Sequence, residues 1–90
     1  MLDTHDKLLH AVTEYDRKQS TKRGYNHYAL AHYCGAINQR VIPAINQGVP
    51  IRKAILMGFC GRLADVCLRA VGEPKTTDAE QRGSLSDYGY

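Results

Sequence analysis

The chain has 90 residues and a mass of 10.1 kDa, and 43% of its residues are hydrophobic and 23% charged. These values are typical of one globular domain, and they exclude two domains or a chain that is disordered throughout. The net charge of +3 permits anionic partners, but a dedicated DNA-binding domain usually carries a denser basic stripe.

The cysteines and the start of the chain favour an intracellular protein. Cys34, Cys60 and Cys67 form no C-x-x-C pair, so we expect reduced, buried thiols rather than a zinc site. The first residues lack the basic start and the long apolar stretch of a signal peptide. Residues 51–71 are apolar but include charged side chains, which are too costly at the centre of a bilayer. We therefore expect a cytoplasmic protein that does not enter the membrane.

A first amphipathic helix is predicted near the start of the chain. Leu8 and Val12 lie at helical spacing behind Asp3, which is a good N-cap residue. This pattern predicts a helix from about residue 4 to about residue 19. Gly24 then closes a polar turn, so this helix is separate from the next one.

The second predicted helix carries a proline inside its apolar stripe. Asn26 is a good N-cap residue for it. Hydrophobic side chains follow at steps of three and four residues, at Leu30, Cys34, Ile37, Val41 and Ile45. Pro43 cannot donate a backbone hydrogen bond to Gln39, so we expect the helix to kink there, or to end and restart.

The third predicted helix is the most apolar part of the chain. Pro50 suits a first helical position, and Gly72 followed by Pro74 is a stop signal, so we expect one helix over residues 50–72. Its apolar side chains cover more than half of a helical wheel, whereas a surface helix needs a stripe of about 100°. Either the other helices of a compact bundle or a second copy of the chain must cover the excess. Of the two we expect self-association, because a large exposed apolar patch is a liability for a small protein.

The remaining side of this helix is a narrow polar strip. It contains Gly58 and Gly61, which are unfavourable inside a helix, so we expect the close approach of another backbone there. Asp65 follows Arg62 by three residues and precedes Arg69 by four, so it can pair with either arginine. The strip is either a solvated face or the contact surface for a ligand or partner.

The composition becomes polar beyond the third helix. Thr77 and Glu80 have the spacing of a capping box, and Gly83 is a stop signal, so we expect one or two helical turns. The domain organisation is therefore a helical domain over residues 1–74 and a polar, partly disordered tail over residues 75–90. The predicted fold class is all-α: a three-helix antiparallel bundle with a kinked second helix, which forms an oligomer.

Two basic clusters are candidates for an anion-binding site. Arg52 and Lys53 fall in the first turn of the third helix, where the helix dipole disfavours cations unless an anion is bound. The alternative is an ordinary surface pair near acidic residues of the first helix. The second cluster surrounds the start of the second helix and consists of Lys22, Arg23, Tyr25, His27 and Tyr28. Its tyrosine rings can stack on a base. The predicted ligand-binding residues are Arg23, Tyr25, Tyr28, Arg52, Lys53, Arg62 and Arg69.

No motif of the chain predicts catalysis or metal binding. The four histidines fall in pairs that are five residues apart, a spacing that places them on different sides of a helix. The sequence contains no G-x-S-x-G, P-loop or H-E-x-x-H motif. We therefore expect a protein that is not an enzyme and that uses neither a cofactor nor a metal ion.

The stretch from Gly58 to Pro74 resembles the end of a known protein family. Its sequence, GFCGRLADVCLRAVGEP, contains a Gly-Phe pair and an Arg-Ala-Val-x-x-Pro stop. In this it is similar to small helical phage proteins that counter bacterial immunity, in particular the anti-CBASS sponge family. The resemblance implies a helical oligomer that sequesters cyclic nucleotide immune signals between its subunits.

Three hypotheses for function follow from the sequence. The leading one is a non-enzymatic, phage-type anti-defence protein, an oligomer that sequesters a phosphorylated small molecule such as a cyclic nucleotide. The second is an anti-CRISPR-like inhibitor that docks on a host immune complex through the apolar surface of the third helix. The third is a small nucleic-acid-binding regulator, which the lack of a helix-turn-helix pattern disfavours.

Overall fold

The structure, a computed structural model, describes residues 3–24, 27 and 29–80, and it contains helices and turns but no strand within them. The helices are α1 (Thr4–Arg23), α2 (Leu30–Ala36), a π-helical segment (Ile37–Val41), α3 (Ile42–Asn46), α4 (Ile51–Gly58) and α5 (Gly61–Ala70). Residues 78–80 are also helical. The predicted all-α class is confirmed.

α1 begins where the sequence predicts and continues to the predicted turn. The Asp3 carboxylate accepts a hydrogen bond from the backbone N–H of Asp6 at 2.8 Å, which caps the first turn. The helix extends past the predicted end near residue 19 to Arg23, whose positive charge suits the C-terminal end of a helix dipole. Gly24 ends the helix with a φ of 75°, which glycine adopts without strain.

Pro43 neither ends nor restarts the second predicted helix, because α2, the π-helical segment and α3 follow one another without a gap. Since proline has no backbone N–H, the hydrogen bond to the carbonyl of Gln39 cannot form. The bonding pattern shifts just before the proline, where the N–H of Ile42 donates to the carbonyl of Ile37, five residues back. The departure from α-helical geometry is therefore a π-helical turn over Ile37–Val41, before the proline rather than after it.

The prediction of a single helix over residues 50–72 is wrong, because a break separates α4 from α5. Phe59 and Cys60 are extended, with φ of −138° and −139°. Gly61 follows with a φ of 62°, a conformation in which other residues are strained. The hydrophobic pattern does not reveal the break because Phe59, which lies in it, is apolar and buried.

The break removes the argument for self-association that rests on one long apolar helix. α4 and α5 are separate helices, so their apolar side chains do not form one continuous arc. Among the residues that the structure describes, Met57 is the only large hydrophobic side chain that is exposed, and its exposed fraction is 40%. A second copy of the chain is therefore not needed to cover the apolar excess.

The hydrophobic core is formed by α1, the π-helical segment, α4 and α5. Its largest fully buried aliphatic side chains are Leu8, Val12, Ile37, Val41, Ile55 and Leu68. α1 packs chiefly against α5, while α4 packs chiefly against the π-helical segment. This arrangement places α5, and the charged side chains that it carries, beside the last turns of α1.

The three cysteines differ in their exposure. Cys67 is buried, and burial raises the pKa of its thiol to about 12, so the thiol stays protonated. Cys34 is half-buried. Cys60 is exposed because it lies in the extended break between α4 and α5, so the prediction of buried thiols is wrong at this position.

None of the helices in the described ranges has both the length and the apolar character that crossing a bilayer requires. α1 is the longest at 20 residues, and it carries polar or charged side chains along its whole length.

Gly58 is the position where we expect the fold to tolerate substitution least. A Cβ atom at Gly58 would lie 2.7 Å from Cγ2 of the fully buried Val41, closer than real Cβ atoms approach a neighbour. We expect Gly58→Ala to lower the free energy of unfolding by about 1–3 kcal/mol, measured by urea denaturation.

Gly35→Ala is the matched control for this substitution. Gly35 lies inside α2, and a Cβ added there meets no atom within 4 Å, so this variant is expected to gain up to about 1 kcal/mol from helix propensity. If both variants change stability by the same amount, the contact with Val41 does not determine the packing of α4.

Candidate functional site

Arg52, a predicted ligand-binding residue at the start of α4, binds the C-terminal part of the described chain. Its guanidinium donates to both carboxylate oxygens of Glu80, at 2.7 and 2.5 Å. It also donates to the backbone carbonyls of Pro74 and Lys75, at 2.6 and 3.0 Å. Glu73 adds an ion pair at 3.6 Å. The anion that the sequence suggests beside Arg52 is therefore present as a carboxylate of the chain itself.

Glu80 also completes the capping box predicted with Thr77. The N–H of Thr77 donates to the Glu80 carboxylate at 3.0 Å, and the N–H of Glu80 donates to the Thr77 hydroxyl at 3.1 Å. The hydrogen bond from Arg52, and next that from Thr77, lower the pKa of Glu80 to about 2. The first residues of the predicted polar tail are thus held against α4.

Asp65 does not pair with either of the arginines that the sequence places beside it. Its Oδ1 accepts hydrogen bonds from the backbone N–H and the hydroxyl of Thr76, at 2.7 and 2.9 Å. The expected pairs with Arg62 and Arg69 are therefore wrong, because the acceptor binds the segment that follows α5. As a consequence, Arg62 and Arg69 have no carboxylate partner among the described residues.

A groove with a volume of about 560 Å³ lies between the last turns of α1 and the first turns of α5. Four of its eight lining side chains are cationic: Arg17, Lys18, Lys22 and Arg62. The other four are Tyr15, Gln19, Thr21 and Val66. None of the lining residues is acidic. We call this depression the cationic groove.

Most of the positive charge of the cationic groove is not neutralised by nearby carboxylates. Arg17 pairs with Glu14 at 2.6 Å and thereby lowers the pKa of that carboxyl, but the arginine side chain is 68% exposed, so the pair contributes little to stability. Lys18, Lys22 and Arg62 make no ion pair within the described part of the chain. The groove is therefore suited to bind an anion.

A second depression, of about 460 Å³, lies between α2, the π-helical segment and the break. Its polar lining side chains are those of His32, Gln39, Arg40 and Cys60. The sequence does not predict it, because it exists only where the π-helical segment meets the break. We call this depression the π cleft.

A row of aromatic rings lies between the two depressions. The ring centroids of Tyr15 and Tyr33 are 6.1 Å apart, and those of Tyr33 and Phe59 are 6.3 Å apart, both with edge-to-face geometry. Tyr15 lines the cationic groove, whereas Tyr33 and Phe59 line the π cleft. The row thus contributes one ring to the wall of the groove and two rings to the wall of the cleft.

Asp16 fixes the position of α2 relative to α1. Its carboxylate is fully buried and accepts a hydrogen bond at 2.6 Å from the N–H of Ala29, the residue before α2. The hydroxyl of Ser20 donates to it at 3.4 Å, and Nδ1 of His27 lies 3.6 Å away. Sequence reasoning missed this residue because its main partner lies 13 residues further along the chain.

The other predicted ligand-binding residues do not form one site. Lys53 is exposed on α4, and Arg69 is exposed in the last turn of α5. Arg23 is the last residue of α1, one position beyond Lys22. Tyr25 and Tyr28 lie outside the described residues. Of these seven predicted residues, only Arg62 lines the cationic groove, and Lys22 of the second basic cluster lines it as well.

The described residues contain no cluster of His, Cys, Asp or Glu side chains that is placed to hold a metal ion. No protein-family model matches the chain, and neither a curated protein nor a solved structure gives a significant match.

We expect the ion pair between Arg52 and Glu80 to make stability depend on pH in the acidic range. The pKa of Glu80 is lowered from 4.5 to about 2, so the contribution is complete above pH 4.5 and is lost as the pH falls towards 2. Thermal unfolding of the wild type and of Glu80→Gln should therefore differ at neutral pH and converge near pH 2.

Asp78→Asn is the control, because it removes an exposed carboxylate from the same segment without touching Arg52. If the difference in melting temperature between the wild type and Glu80→Gln stays constant from neutral pH to pH 2, the ion pair with Arg52 is not the source of the pH dependence.

Proposed function

We propose that this chain is a non-enzymatic binding protein that sequesters a phosphorylated small molecule, such as a cyclic nucleotide, in the cationic groove. The observation that carries the proposal is the cluster of Lys18, Lys22 and Arg62 around one groove that no carboxylate lines. Cations held close together without a counter-charge repel one another, and a bound anion removes that cost.

The chemistry of the groove fits a phosphate group in particular. The guanidinium of Arg62 can donate two parallel hydrogen bonds to phosphate oxygens, while each lysine supplies a mobile positive charge. A volume of about 560 Å³ is within the range of small-molecule sites.

The anti-defence role belongs to the proposal through the resemblance of residues Gly58 to Pro74. In the structure, Gly58 is the last residue of α4 and Phe59 lies in the break, so this stretch spans two helices rather than one. The resemblance implies that the protein sequesters a cyclic nucleotide immune signal, and the phosphates of such a signal are anions that the cationic groove can bind.

Self-association stays a prediction. The groove is formed within one chain, and the described residues expose only one large hydrophobic side chain, so the proposed binding does not require an oligomer. The native mass, measured by light scattering with and without cyclic nucleotide, would show whether copies of the chain associate on binding.

We expect cyclic di- and trinucleotides to raise the melting temperature of the protein. A ligand present at about 100 times its Kd adds about 2.7 kcal/mol of stability, which corresponds to roughly 10 °C or more for a domain of this size.

Lys22→Ala and Arg62→Ala should each weaken binding about 10- to 100-fold, because each removes a charge-assisted hydrogen bond to phosphate. A thermal unfolding assay measures the melting temperature, and isothermal titration calorimetry measures the affinities.

Lys53→Ala is the charge-matched control. It removes one exposed lysine from α4, outside the groove, and should leave the affinity unchanged. An equal loss of affinity in Lys53→Ala would place the site at α4 instead. If no phosphorylated compound binds the wild type, the proposal is wrong, and tight binding of duplex DNA that weakens steeply with salt would favour the nucleic-acid regulator.

A further inference from the structure

The cationic groove and the π cleft adjoin each other at the start of α5. Arg62 lines the groove and Leu63, the next residue, lines the cleft, so their Cα atoms are only about 3.8 Å apart. The two depressions thus meet at neighbouring residues of α5, with the row of aromatic rings between them.

The lining of the π cleft differs from that of the groove in a way that suits a planar ring. Several of its lining residues have little or no side chain: Ala31, Gly35, Ala36 and Gly58. A Cβ atom added at Gly35 meets nothing within 4 Å, so the space next to this part of α2 is open. A flat group can therefore approach the helix backbone closely there.

The polar side chains of the π cleft suit a heterocyclic base. The amide of Gln39 can both donate and accept hydrogen bonds, which matches the edge of a nucleobase. The guanidinium plane of Arg40 and the ring of His32 offer flat surfaces on which a base can stack. Arg40 makes no ion pair with the residues that the structure describes, so it is available to a ligand.

We propose that the π cleft binds the base of the phosphorylated ligand whose phosphates occupy the cationic groove. This inference rests on the proposed function and adds to it a recognition site for the base. It predicts that the protein distinguishes a nucleotide from a phosphorylated compound that has no base. Affinity for phosphate and preference for a base then reside in different residues.

Gly35 allows a direct test, because it lines the cleft and a Cβ added there meets nothing within 4 Å. The probes are cyclic di-AMP and inorganic tripolyphosphate, titrated calorimetrically into the wild type, Gly35→Leu and Gly35→Ala. We expect the wild type to bind cyclic di-AMP roughly tenfold or more tightly than tripolyphosphate. Gly35→Leu should lose this preference and keep its affinity for tripolyphosphate, while Gly35→Ala should resemble the wild type.

Gln39→Ala provides a second test that does not fill the cleft. Gln39 is exposed, so its truncation should leave the melting temperature unchanged while it weakens the binding of cyclic di-AMP but not of tripolyphosphate.

The outcomes separate the two proposals. If Gly35→Leu and Gln39→Ala bind cyclic di-AMP as tightly as the wild type does, the cleft does not bind the base, and the groove proposal stands. If the wild type binds neither probe, both proposals fail. If the wild type binds both probes equally, only the base site is overturned.

Discussion

Pro43 has no backbone N–H to donate, and the arrangement of the central helices depends on how the chain accommodates this. The π-helical turn before the proline keeps the helix continuous and holds Val41 in the core. Gly58 packs directly on Val41, which sets the distance between α4 and the π-helical segment. The chain then turns at Phe59 and Cys60 so that α5 lies against α1. Both depressions on the surface result from these placements.

Carboxylates determine where positive charge remains on the protein. Three of them are engaged in fixing the tertiary arrangement: Asp16 binds the start of α2, Asp65 binds the segment after α5, and Glu80 binds Arg52. None of the three is then available to the cations between α1 and α5. The net charge of the chain is only +3, yet positive charge is concentrated in one groove.

Features that depend on neighbouring residues are predictable from this sequence, whereas features that depend on distant partners are not. The caps at Asp3 and Gly24 and the box of Thr77 with Glu80 form within a few residues, and their residue types alone indicate them. The break at Phe59 and the groove at Arg62 depend on which helices become neighbours in space. Periodicity carries no information on that choice, so Arg62 and Lys22 could each be singled out, but not their meeting in one groove.

The packing of α1 on α5 has a consequence for the order in which the chain acquires its structure. α1 is synthesised before its main packing partner, α5, and the whole stretch from Gly24 to Cys60 is made between them. Until then the side chains of Leu8 and Val12 lack much of the surface that buries them. Closing this long loop is an entropic barrier that local helix formation does not remove, so folding is expected to be completed late, once α5 is available.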